Sequence, residues 1–127
     1  MSAAGHTLDA GALIALERGD RRMQRLLLEA RDRSTSISIP AGALGQVWRG
    51  SPRQALLARV LRMGAVEIID LSGDAARAAG ILCGAAGTND VIDASVVLCA
   101  AERGHRIVTS DPEDLRRLDP TAPIVPL

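Results

Sequence analysis

The segment TNDVIDASVVLCAAERGHRIVTSD, residues 88–111, decides the fold. Small and aliphatic residues cover all sides of a predicted helix in its first part, and HRIVTSD at its end predicts a strand. Aspartates stand in the first turns of the helix, at Asp90 and Asp93, and directly after the strand, at Asp111. An apolar helix that feeds a strand is typical of a parallel sheet covered by helices.

Outward from this segment, predicted strands and helices continue to alternate along the chain. The other predicted strands are HTLDA, STSISIP, AVEIIDL and APIVPL, and the other predicted helices are GALIALERG, DRRMQRLLLEARDR, AGALGQVWRG, PRQALLARVLRMG, SGDAARAAGILCGAAG and PEDLRRL. Strands separated by helices favour parallel pairing through right-handed crossovers. We therefore expect one α/β domain over residues 1–127, with a central parallel sheet flanked by helices on both faces.

Composition excludes several classes of function. The chain has one Trp, no Tyr and no Phe, so bases have no aromatic platform on which to stack. A net charge of zero argues against a protein that coats nucleic acid by general attraction. Every basic residue is an arginine, which removes mechanisms that need a lysine and weakens two similar folds that use one, response-regulator receivers and haloacid-dehalogenase-type phosphatases.

The cysteines and the lengths of the apolar runs indicate the redox state and the compartment that we expect for the protein. Cys83 and Cys99 lie in apolar helical contexts without a second ligand at zinc spacing, so we expect buried free thiols. No apolar run approaches the length of a membrane span, and no basic stretch precedes the first apolar run. We expect a cytoplasmic protein.

The aspartates converge if the sheet is parallel. Asp9 ends the first strand, Asp111 ends the strand RIVTS, and Asp93 with Asp90 begins the helix between them. Ligands of open parallel sheets bind beyond the carboxyl ends of the strands. Clustered carboxylates repel one another unless a cation or a shared proton compensates, and such ligands suit Mg²⁺ or Mn²⁺. The alternative is local: Asn89 and Asp90 cap the helix, and Asp93 faces its dipole.

Three stretches, TLDAGALIALERGD, DASVVLCAAERGHRIVTSD and PEDL, resemble the PIN domain and, within it, the VapC-type toxins of bacterial toxin–antitoxin pairs. The resemblance covers essentially the whole chain in element order. It implies a three-layer fold and an Mg²⁺- or Mn²⁺-dependent ribonuclease that dimerises and is silenced by a VapB-type antitoxin. On that pattern Asp9, Asp93 and Asp111 are the catalytic, metal-binding acids, and Asp90 is an additional metal-binding acid.

The chain departs from that pattern at one position. The family's second acid, normally a Glu, falls in IPAGALGQVWRG, where this chain has Gln46. Gln46 offers a carbonyl oxygen or holds a water without adding charge, and Asp90 is a candidate for restoring that charge. Thr109 and Ser110 are candidates for positioning a water or phosphate, although such residues often bond backbone instead.

Further contacts are weaker expectations. Arginines on the early helices and near the third helix are candidates for RNA phosphates or an acidic antitoxin segment, or else form a solvated face; they are Arg18, Arg21, Arg22, Arg25, Arg49 and Arg53. His6 and His105 stand at strand starts, so we interpret both as structural. Apolar surface on the second and fourth helices, with Trp48 between them, predicts a homodimer and a groove for an antitoxin helix.

Two rival functions stay open. The glutamine at position 46 makes an inactive PIN-like module that only binds a partner plausible, and metal-dependent cleavage of single-stranded RNA discriminates against it. A phosphatase would hydrolyse a generic phosphomonoester and leave RNA intact.

Overall fold

Five parallel strands form one sheet in the computed structural model, which describes residues 5–127. The strands are β1 (His6–Leu8), β2 (Ile37–Pro40), β3 (Val66–Ile69), β4 (Arg106–Thr109) and β5 (Ile124–Pro126). Their order across the sheet is β3-β2-β1-β4-β5, with every pairing parallel. The chain builds outward from β1 in one direction and then, through β4, in the other. The order therefore reverses between β1 and β4, where open α/β sheets bind their ligands.

Helices supply the crossovers between these strands. They are α1 (Ala10–Glu17), α2 (Arg21–Arg33), α3 (Ala41–Val47), α4 (Ala55–Leu61), α5 (Gly73–Ala86), α6 (Val91–Arg103) and α7 (Pro112–Leu118), with a short 3₁₀ turn at Pro52–Gln54 before α4. Each strand and helix predicted from the sequence is present. The sequence-based α/β fold class, with its parallel central sheet, is confirmed.

Apolar side chains fill both sides of the sheet. Val108 belongs to the core beneath α1, α2 and α4, whereas its neighbour Ile107 belongs to the core beneath α5, α6 and α7. Successive strand residues point to opposite faces, so each short strand contributes to both cores. The result is the three-layer arrangement expected, built from aliphatic residues with Met23 as the largest flexible member.

Local signals set the helix ends. The Asp20 carboxylate caps α2 by accepting from the backbone N–H groups of Arg22 at 2.8 Å and Met23 at 3.1 Å. The helix α6 ends at Gly104, which has a φ of 65°. Glycine adopts this left-handed conformation with little loss of free energy because it has no Cβ. This stop turns the chain directly into β4, and with it towards the carboxyl edge of the sheet.

Both cysteines are buried and free, as the sequence predicts. Burial raises the pKa of the Cys99 thiol. Within residues 5–127 no single helix has the length and hydropathy of a membrane span, and only α5 and α6 together, bent by 109°, meet both criteria.

Candidate active site

Asp9 lies where β1 gives way to α1. Its Oδ1 accepts from the backbone N–H of Ala12 at 2.9 Å, which caps α1. Only 6% of Asp9 is exposed, and burial raises its pKa, while the neighbouring Thr109 hydroxyl and backbone N–H groups act in the opposite direction. The end of a strand and the start of a helix thus fix one carboxylate at the carboxyl edge of the sheet.

Asp90 and Asp93 occupy the start of α6. Asp90 is the cap residue, and its Oδ1 accepts from the backbone N–H of Asp93 at 2.9 Å. Asp93 is half-buried, and its pKa is raised to about 7, first by burial and then by the negative charge of Asp90, with Asp9 and Asp114 adding to the effect. Asp90 therefore caps the helix, as one of the two sequence interpretations states, and its charge also acts on Asp93. Its role as a ligand for a cation stays a prediction.

Asp114 is a site residue that the sequence analysis missed. It lines a small depression of about 140 Å³ together with Asp90 and Asp93. Asp114 stands in the first turn of α7 and accounts for the largest effects on Asp111, whose pKa it raises through a hydrogen bond and through its charge. One signal was available: Asp114 follows Asp111 by three residues, the spacing that separates Asp93 from Asp90.

The loop after β4 holds the remaining predicted site residues. Thr109 is fully buried, and its Oγ1 accepts from the backbone N–H of Asp111 at 2.9 Å. Its hydroxyl also lowers the pKa of the neighbouring Asp9. Ser110 is exposed and lies against Gly11, where a Cβ would collide with its hydroxyl. Asp111 is also exposed, so it lies at the rim of the cluster.

Gln46 is exposed on α3. It follows Gly42 by one helical turn, and Gly42 packs so closely against Ile92 of α6 that a Cβ there would meet the isoleucine side chain. Residues four apart share a helix face. Gln46 therefore lies on the side of α3 that faces the start of α6, where Asp93 is found.

Among residues 5–127, three of the six weakly predicted arginines, Arg18, Arg49 and Arg53, make no ion pair with the carboxylates. Arg49 bonds the end of α3, donating to the carbonyls of Trp48 at 2.7 Å, Gln46 at 3.1 Å and Gly45 at 3.4 Å. Arg18 and Arg53 are exposed. Arg117 lines the small depression beside Asp90, Asp93 and Asp114, and it was not among the predicted contacts.

In the part of the chain that the structure describes, the carboxylates at this edge make no ion pairs, although Arg117 lines the depression beside three of them. Within residues 5–127 none of them is in an ion pair with an arginine, although five other acids are; the unpaired set is Asp9, Asp90, Asp93, Asp111 and Asp114. In the same part of the chain, no three His, Cys, Asp or Glu side chains converge closely enough, as placed, to form a ligand cage. The set fits a hard divalent cation in donor chemistry, and water-bridged ligation is common for Mg²⁺.

Solved structures with the same fold include two that contain toxin–antitoxin complexes. The crystal structure of VapBC2 from Rickettsia felis bound to a DNA fragment from their promoter matches with a TM-score of 0.70 and 17% identity, over 96% of this chain and 98% of that one. A toxin–antitoxin complex from Klebsiella pneumoniae matches with a TM-score of 0.68 and 18% identity, over 97% of this chain and 96% of that one.

At the level of sequence, no protein-family model and no curated protein matches the chain. At identities this low the likeness establishes the fold. The chain has the three-layer α/β fold of the VapC-type PIN domain, and the resemblance seen in the sequence is confirmed for the fold.

Proposed function

We propose that the chain is a metal-dependent endoribonuclease that acts as the toxin of a VapBC-type pair. The observation that carries this proposal is the set of unpaired carboxylates where the strand order reverses, in a fold shared with toxin–antitoxin complexes. Such a cluster is unfavourable without a cation or a shared proton, because like charges repel one another.

The residues have separate tasks in this proposal. Asp9, Asp93 and Asp114 would hold Mg²⁺ or Mn²⁺, with Asp90 and Asp111 adding charge nearby. A bound divalent cation supplies an acidified water and offsets charge on the phosphate oxygens. Asp93 must release its proton before it serves as a ligand, and its pKa of about 7 places that step close to neutral pH. The backbone N–H of Ala12 orients Asp9, and the Thr109 hydroxyl favours its ionised form.

We also propose that an antitoxin segment binds between α2 and α4. A depression of about 340 Å³ lies between these helices, and Leu27, Leu28 and Val60 line it. Leu28 is 50% exposed, which is a large fraction for an unpartnered leucine. Arg31 and Arg59 line the same depression, so an amphipathic helix with acidic flanks is complementary to it.

Gln46 favours a second candidate, a PIN-like module that binds its partner without cutting RNA. That candidate predicts growth arrest without new RNA ends. The phosphatase alternative predicts hydrolysis of a generic phosphomonoester by the purified chain and intact RNA.

The test is expression of the chain in a bacterium with and without the reading frame that neighbours it, followed by sequencing of RNA 5′ ends. We expect new ends to accumulate when the chain is expressed alone and to disappear when its neighbour is expressed with it. A matched culture expressing Asp93→Asn should give no new ends. Unchanged RNA ends in all cultures, with the protein present at equal levels, would contradict the proposal.

A further inference from the structure

A further depression lies at the amino ends of the strands, opposite the edge that carries the carboxylates. It measures about 380 Å³ and is lined by His6, Glu29, Arg33, Thr35 and Arg106, among others. His6 and Arg106 are the first residues of β1 and β4, whereas the carboxylates follow the last residues of those strands. The body of the sheet therefore separates this depression from the candidate active site.

Three nitrogen-bearing side chains from three elements meet there. His6 and Arg106 are register partners in adjacent parallel strands, which places their side chains on the same face of the sheet. Arg33 is the last residue of α2. Within residues 5–127 neither arginine is in an ion pair, although Glu29 lines the same depression.

One of the side chains that line this depression also carries a buried polar atom without a partner. Nδ1 of His6 is shielded from solvent and makes no hydrogen bond within the described part of the chain. Buried polar atoms are almost always satisfied, so this nitrogen, next to the depression, calls for a partner. An anionic oxygen in the depression would accept from both arginines, and from the His6 ring when Nδ1 carries the proton and the ring turns towards it.

We propose that this depression binds a phosphate group. Guanidinium groups match phosphate oxygens through paired, charge-assisted hydrogen bonds, and a tetrahedral anion has enough oxygens to serve donors that arrive from different directions. The hydroxyl of Thr35 adds a neutral donor on the same wall. Glu29 carries a negative charge, which opposes phosphate binding, so the removal of this charge should strengthen the binding. The inference is independent of the proposed ribonuclease activity.

The test is calorimetric titration of the full chain with inorganic phosphate, in the presence of EDTA. The variant Arg33→Gln/Arg106→Gln should bind phosphate at least about tenfold more weakly, because it loses two charge-assisted contacts. Glu29→Gln should bind about threefold more tightly, since it removes a nearby like charge. Arg31→Gln is the matched control: it removes the same charge from α2 but faces a different depression, and its affinity should not change.

Thermal unfolding separates loss of the site from loss of the fold. Phosphate should raise the unfolding temperature of the wild type and of Arg31→Gln, and leave that of the double variant unchanged. No binding of phosphate to the wild type at millimolar concentration would overturn the proposal. Equal weakening in Arg31→Gln would also overturn it, because the effect would then be general charge attraction.

Two sources can supply the phosphate, and a second titration distinguishes them. A short single-stranded RNA without terminal phosphates presents only backbone phosphates, whereas inorganic phosphate presents a free dianion. Weaker RNA binding in the double variant, by the factor seen for phosphate, would assign the site to the RNA backbone. Weaker binding of inorganic phosphate alone would assign it to a free phosphate or a phosphomonoester.

Discussion

The surroundings of Asp93 favour its protonated form, whereas the proposed binding of a cation requires its ionised form. Burial and the charges of Asp90, Asp9 and Asp114 favour the protonated carboxyl, and they raise its pKa to about 7. A ligand for a divalent cation has to be ionised. If Asp93 binds the proposed cation, proton and cation would compete for its oxygens near neutral pH.

The site should fail when any central acid loses its charge. Asp9→Asn, Asp93→Asn and Asp114→Asn should each abolish RNA cleavage and leave the fold intact, because the substitution removes a ligand charge from a cluster that repels itself. The midpoint of thermal unfolding without metal should stay level or rise. Asp74→Asn is the control, since Asp74 is an exposed acid on α5 whose ion-pair partner is Arg77. Full activity in the Asp114→Asn variant would remove that residue from the site.

Stability without metal should depend on pH in a defined direction. Between the ordinary pKa of an aspartate and about 7, folded Asp93 retains a proton that the unfolded chain releases, so the free energy of unfolding falls as pH rises through this window and levels off above it. We expect a loss of about 1–2 kcal/mol, a small value because Asp93 is only half-buried. Urea titrations in EDTA at pH 5, 6, 7 and 8 measure it. The interpretation fails if Asp93→Asn shows the same slope.

At the scale of elements, the end of α3 is joined to α4 by a single buried side chain. The Oε1 of Gln54 accepts from the backbone N–H groups of Arg49 at 2.8 Å and Gly50 at 3.1 Å, and its Nε2 donates to the Val47 carbonyl at 2.8 Å. Gln54 is 2% exposed. These bonds hold the chain where it turns from α3 to α4, and so they fix the helix that carries Gln46.

Loss of this side chain should cost stability. Gln54→Ala leaves one buried acceptor and two part-buried backbone donors without this partner, which should lower the free energy of unfolding by about 1–3 kcal/mol. Equilibrium urea unfolding monitored by circular dichroism measures the change. Arg53→Ala, at the exposed neighbouring position, should change it by less than about 0.5 kcal/mol. Equal effects of the two substitutions would refute the role of Gln54.

Gln46 lies on the face of α3 that is turned towards α6, and substitutions at this position test whether it contributes to the site. Gln46→Glu should tighten Mg²⁺ binding by about 0.5–1 kcal/mol, because the added charge is exposed and screened. Asp90→Asn keeps the cap but weakens binding, and Gln46→Glu should largely rescue that loss. Metal titrations of cleavage for the wild type, both single variants and the double variant give the coupling energy. Additive effects would mean that Asp90 is a helix cap only, and no effect of Gln46→Glu would place residue 46 outside the site.

The order of elements was predictable because helix and strand patterns in this chain are local. Glycines with a left-handed φ, Gly19 and Gly104, follow α1 and α6, and Asp9 and Asp111 follow β1 and β4. Asp114 was not predicted, since its proximity to Asp93 depends on how α7 packs against α6. The hydrogen bonds of Gln54 to the end of α3 also depend on tertiary contacts, and the hydrophobic periodicity of the sequence does not predict them.

The hydrogen-bond partners of His105, at the amino ends of the strands, could not be predicted from the sequence for the same reason. His105 was expected to be structural, and its ring lies between the Thr7 hydroxyl and the Ser36 hydroxyl, each at 3.1 Å. These partners stand 98 and 69 residues away along the chain. Only the pairing of β1 with β2 and β4 brings them together.

At the scale of the whole molecule, apolar surface remains for a partner. Trp48 is 39% exposed after α3 and lies outside the depression proposed for the antitoxin. We expect a homodimer, because burying this side chain against a second copy is favourable. Light scattering at tens of micromolar protein should give twice the chain mass of 13.3 kDa. A strictly monomeric mass at that concentration would count against the dimer, and Trp48→Ala should shift the mass towards the monomer.

The most direct test of the central claim is the rate at which the purified chain cleaves a pool of single-stranded RNA as Mg²⁺ is titrated. The cluster of unpaired carboxylates predicts no cleavage in EDTA, a rate that rises to a plateau with Mg²⁺, and no cleavage at any Mg²⁺ concentration by Asp93→Asn. Cleavage that persists in EDTA, or that Asp93→Asn retains at the wild-type rate, would contradict the account.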